Sequence, residues 1–65
     1  MENLKSLRES KGYSKVEVSK YLGVTPEAIG YMEKVNRINI KYLYELSNLY
    51  SITRDEIVNI CEIKI

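Results

Sequence analysis

Apolar residues recur at intervals of three and four along most of the chain, and turn or capping residues break them into short runs. Leu4 and Leu7 share one face with Lys5, Arg8 and Glu9 turned outward, which predicts a helix from about Glu2 to Lys11 closed by Gly12. Tyr13 is expected to fold back onto the core. Ser14 followed three residues later by Glu17 is a capping box, and Val18 with Leu22 supplies the inward face of a second helix over about 15–22. Gly23 then ends it, since a left-handed residue is needed there and glycine has no Cβ to resist it. Thr25 as N-cap and Pro26 at the first helical position open a third helix over about 26–34, with Ile29 and Met32 inward.

Lys34 to Ile38 reads as a polar loop with one or two apolar anchors. Asn39 can cap a fourth helix in which Ile40, Leu43, Leu46 and Tyr50 keep helical spacing, with Leu49 broadening the stripe and Ser47 small enough for close packing. Thr53 and Glu56 form another capping box, opening a fifth helix at Arg54 with Ile57, Val58, Ile60 and Cys61 as its apolar side. The closing residues Cys61 to Ile65 alternate apolar and polar, so they either continue this helix or peel off as a short strand. The expected core is Leu4, Leu7, Val18, Leu22, Val24, Ile29, Met32, Ile40, Leu43, Leu46, Ile52 and Ile57. Ser19 is small where a large side chain would push the second and third helices apart. Two short helices, a glycine turn and a small residue at their crossing describe a helix-turn-helix.

The spacing Ser19–Gly23–Ile29–Met32, with LKSLRESKGYS before it and a helix leading to SITRDEI after it, resembles the Cro/phage-repressor (XRE-like) helix-turn-helix family from residue 3 to about 58. The resemblance implies an all-α, five-helix, lambda-repressor-like DNA-binding domain with its helix-turn-helix at helices 2 and 3. It reads as one domain over 1–65, a core over 1–58 and an apolar tail over 59–65. It also implies that helix 3 lies in the major groove of double-stranded DNA, with Glu27, Ala28 and Tyr31 placed to read bases. Pro26 and Gly30 carry no polar side chain, so base readout is depleted relative to the family. Lys15, Lys20, Thr25, Lys34, Asn36, Arg37 and Lys41 are the implied phosphate contacts.

Composition sharpens this. Sixty-five residues make a single small domain, and the formal net charge is only +1. That charge is unevenly spread: residues 1–41 carry eight cations against five carboxylates, whereas residues 42–65 carry two against four. A basic front and an acidic back suit a module that presents one face to phosphate, with an ordinary solvated surface as the alternative. With one cysteine and no histidine, an intrachain disulfide cannot form and neither a metal site nor a cofactor is expected. No nucleophile–base pair can be assembled either, so an enzyme is not expected. No apolar run reaches membrane-spanning length and the N-terminus lacks a signal core, so the expectation is a cytoplasmic protein.

Two features point beyond DNA. Ile60, Ile63 and Ile65 are more apolar surface than a small monomer needs, which suggests homodimerisation, with packing back on the same domain as the alternative. Six tyrosines without Phe or Trp form a surface-biased aromatic set; Tyr13 and Tyr50 belong at core edges, while Tyr21, Tyr31, Tyr42 and Tyr44 are expected to be partly exposed. With Val16, these residues also fit a protein-binding module, such as a phage antirepressor that covers a repressor-like partner, or an antitoxin that binds a toxin.

Overall fold

A computed structural model describes residues 2–65. The chain forms α1 (Leu4–Ser10), α2 (Lys15–Leu22), α3 (Pro26–Val35), β1 (Arg37–Asn39), a 3-10 turn (Ile40–Tyr42), α4 (Leu43–Tyr50), α5 (Arg54–Ile60) and β2 (Glu62–Lys64). Five helices therefore enclose one core, and a two-stranded ribbon closes it at the C-terminal end. Leu4, Leu7, Val18, Leu22, Ile29, Leu46 and Ile57 meet at its centre as their spacing predicts. Val24, Met32, Leu43 and Ile52 pack around them, half-buried.

The helix ends form where local chemistry places them. The Ser14 hydroxyl accepts from the Glu17 N–H at 3.1 Å while the Glu17 carboxylate accepts from the Ser14 N–H at 2.8 Å. Thr53 and Glu56 repeat the exchange at the start of α5. Gly23 sits at φ 72°, the left-handed region that lets α2 stop and α3 begin within three residues. A further box joins Asn3 to Ser6, a pair without the acidic partner of the other two boxes, and moves the start of α1 from the expected Glu2 to Leu4.

Several expectations are corrected. The segment expected as a polar loop holds the end of α3 and the first two residues of β1, which pairs in parallel with β2 in the register Arg37–Glu62, Ile38–Ile63, Asn39–Lys64. This settles the tail as a strand. Ile38, expected only as a loop anchor, is 2% exposed and among the most deeply buried residues. Ile40 leaves the core instead, 47% exposed, because Asn39 caps a 3-10 turn and not an α-helix, and the shift in period rotates Ile40 outward. Tyr50 is buried more deeply than a core edge, with its ring centroid 6.0 Å from that of Tyr13. Val58, expected on the apolar side of α5, is exposed.

Arg8 is the largest departure. Expected to face solvent, it is buried and donates through Nε and Nη2 to the two carboxylate oxygens of Glu33, while Nη1 donates to the Tyr13 carbonyl at 2.9 Å. The forked pairing satisfies both charges away from water, which a single contact would not. Glu33 lies on α3, so the pair fastens α1 to the outer helix of the turn motif.

Candidate nucleic-acid interface

The site is built on α2 and α3. Ser19 is buried where the two helices cross, and its hydroxyl donates to the Val16 carbonyl at 2.7 Å, so the small polar side chain adds no unsatisfied group to the interior. Ile29 is the buried anchor of α3, and the Arg8–Glu33 pair holds the next turn. With the inner face locked, the opposite face of α3 is fixed outward. Glu27, Tyr31 and Lys34 are exposed there, and Pro26, Ala28 and Gly30 lie half-buried on its flanks. Tyr31 is 58% exposed. The three expected base readers thus share one accessible surface on a helix whose orientation the core dictates.

The expected phosphate contacts divide into two groups. Lys15, Lys20, Lys34 and Lys41 are exposed and make no ion pair among the described residues. The Lys41 ammonium rests 5.1 Å from the centre of the Tyr42 ring. The Lys15 ammonium lies 3.8 Å from the position a β-carbon on Gly30 would occupy, so this side chain from α2 is laid across the middle of α3. The other three side chains already have partners. The Thr25 hydroxyl accepts from the Ala28 N–H at 3.2 Å as the cap of α3. Arg37 faces Glu62 across the ribbon at 3.4 Å, an exposed contact of small energetic weight.

Asn36 is the third, and its side chain serves the fold. Its Oδ1 accepts from the Leu4 N–H at 2.9 Å and its Nδ2 donates to the Ile60 carbonyl at 2.7 Å. Its own carbonyl accepts from the Glu62 N–H at 3.0 Å. With φ 52° it ends α3 in the left-handed region, where asparagine is tolerated better than most residues. One residue thereby joins the start of α1, the end of α3 and the start of β2. Nothing local in the sequence announces this, since its partners are 32 and 24 residues away.

Titration follows the same geometry. The Ser14 N–H and hydroxyl hold the Glu17 carboxyl below its ordinary value. Pairing with Glu33 holds Arg8 further above its own, against the opposing effect of burial. Burial pushes the Tyr50 phenol up to about 12, helped by the nearby Glu33 charge and partly opposed by Arg8. Burial also raises the Cys61 thiol, whose Sγ donates to the Ile57 carbonyl. This is the environment of an unreactive thiol. The tail residues Ile60 and Ile63 pack half-buried against the domain's own core, whereas Ile65 is 98% exposed. Among the described residues no helix is long and apolar enough to cross a membrane.

A family model described as Helix-turn-helix matches residues 4–57, from the first residue of α1 into α5. Neither a curated protein nor a solved structure matches the chain.

Proposed function

The chain belongs to the Cro/XRE-like helix-turn-helix family, and from that premise we propose that it is a DNA-binding transcriptional regulator that seats α3 in the major groove of operator DNA as a dimer. The observation that carries this reading is the outward face of α3, held by Ile29 and the Arg8–Glu33 pair, with Lys34 on the same helix and the Lys15 ammonium against Gly30, neither in an ion pair among the described residues. Glu27, Ala28 and Tyr31 meet base edges: the carboxylate accepts from a cytosine amino group, the methyl packs on thymine, and the phenol donates or packs. Lys20, Lys34, Arg37 and Lys41 hold phosphates on either side, and Arg37 exchanges its exposed contact with Glu62 for a phosphate oxygen. Thr25 and Asn36 contribute by fixing the two ends of α3. Ile65, with the partly covered Ile60 and Ile63, supplies the apolar contact between protomers.

The test is fluorescence anisotropy of the purified protein with random-sequence duplex at about 50 and about 200 mM salt, followed by selection from a randomised library. A complex that weakens steeply with salt and enriches a palindrome is expected. A second reading, a protein-binding module, is favoured by the exposure of Val16, Tyr21 and Tyr31 on the turn motif itself. Absence of any duplex binding at the lower salt would select that reading, and capture of a repressor-like or toxin partner would be the next measurement.

A further inference from the structure

The reading face of α3 is short of hydrogen-bonding side chains. Pro26 and Gly30, four residues apart, line one flank of the face formed by Glu27 and Tyr31, and Ala28 lines the other, so neither flank carries a long side chain. A helix with small residues outward can sit deep in a groove, but it then has few atoms with which to distinguish base pairs. The structure places another side chain beside the Gly30 flank. Lys15, at the first position of α2, has its ammonium 3.8 Å from where a Gly30 β-carbon would be, and beyond Gly30's chain neighbours and the nearby backbone of α3 no other heavy atom comes within 4 Å of that point. The Ser14–Glu17 capping box fixes the backbone from which Lys15 springs. The ammonium has no carboxylate partner among the described residues, so its donors are free.

We infer that Lys15 is a specificity-determining residue: laid across Gly30, its ammonium reads a guanine edge in the major groove in place of the side chains α3 lacks. Guanine offers two neighbouring acceptors, O6 and N7, and a lysine ammonium is one of the two side-chain groups best suited to them. Gly30 is the positioning residue. A side chain longer than a methyl there takes the place of the ammonium and turns it toward the phosphates or solvent. Sequence preference is therefore divided between two helices, Glu27 and Tyr31 on α3 and Lys15 on α2.

This inference rests on the DNA-binding reading, and its test separates the two. Operator selection would be run with the wild-type protein, with Lys15→Met and with Gly30→Leu, after circular dichroism shows all three folded. Lys15 is exposed, and leucine at position 30 is a better helix former than the glycine it replaces. The wild type is expected to enrich a guanine at one position of each half-site. Lys15→Met and Gly30→Leu should both lose that preference by about tenfold or more while keeping preferences elsewhere. Gly30→Leu should also retain the wild-type salt slope, since its lysine is displaced and not removed. If Lys15→Met weakens every duplex equally and leaves the selected sequence unchanged, Lys15 is a phosphate contact and the inference is overturned with DNA binding intact. If the wild type binds no duplex, the regulator reading fails and this inference falls with it.

Discussion

Arg8 and Glu33 show how much one pair of side chains can decide in a domain this small. Both side chains are under 9% exposed, so removing one partner strands the other charge away from water. Glu33→Ala is expected to lower stability by about 3–5 kcal/mol, measured by urea denaturation, whereas Arg8→Met with Glu33→Leu should lose far less. A single substitution no more costly than the double would mean the pair is solvated in solution. Small domains have only about 5–15 kcal/mol in total, so the single variant sits near unfolding. Tyr50 makes a second prediction. Its folded-state pKa of about 12 lies above the ordinary tyrosine value, so the folded state keeps a proton that the unfolded state releases first. The stabilisation is complete below pH 10 and is lost as pH rises toward 12, on the order of 2–3 kcal/mol at most. Tyr50→Phe should remove that part of the alkaline slope; an unchanged slope would place its cause elsewhere.

At the scale of elements, the helix-turn-helix and the ribbon are stabilised differently. The α2–α3 unit is capped at both starts and turned by a residue suited to positive φ, so its conformation is largely local. The ribbon has three residues per strand and cannot stand alone. Asn36 ties it to the helices together with the buried Ile38 and the half-buried Ile63. Asn36→Gly keeps the left-handed conformation available but leaves the Leu4 N–H and the Ile60 carbonyl without their side-chain partner. A loss of about 1–3 kcal/mol is expected. Asn36→Ala should cost about 1–2 kcal/mol more, because alanine resists positive φ. Thermal or urea unfolding of both variants measures this, and a glycine variant as stable as wild type would show that the bridging bonds contribute nothing net.

For the whole molecule, charge and the C-terminal tail bear on function together. Arg37→Ala and Lys41→Ala should each weaken binding to all duplexes alike and flatten the salt dependence by about one counterion. Equal loss at every salt concentration would argue against phosphate contact. The ribbon carries Arg37 and Glu62 on neighbouring strands, so the element that joins the tail to the fold also presents a cation just after α3. Deleting Ile63 to Ile65 removes most of β2 and the most exposed isoleucine. Sedimentation of this truncated chain should show a lower association state than the full chain. Unchanged sedimentation, with the helical spectrum retained, would exclude the tail as the dimer contact.

Near neighbours along the chain govern the features that could be read without a fold. Ser14 with Glu17, Thr53 with Glu56, Thr25 before Pro26, and Gly23 act through bonds spanning three or four residues or through one backbone angle, so their spacing reveals them. The outward face of α3, and with it Glu27, Ala28 and Tyr31, was legible for the same reason: Ile29 and Met32 define its inner side. Tertiary structure decided the rest. A three-residue parallel strand is too short to display a period, so β1 became visible only once β2, 25 residues further on, lay beside it. Arg8 lies four residues after Leu4 and shares its buried face, a signal present in the spacing, but a charge there is stable only because Glu33 arrives from another helix. Ile38 and Asn36 likewise take their roles from residues far along the chain, and the crossing of Lys15 over Gly30 exists only where α2 meets α3. Contacts between distant segments depend on how the helices pack around a shared core, and that packing is a property of the assembled chain, not of any stretch within it.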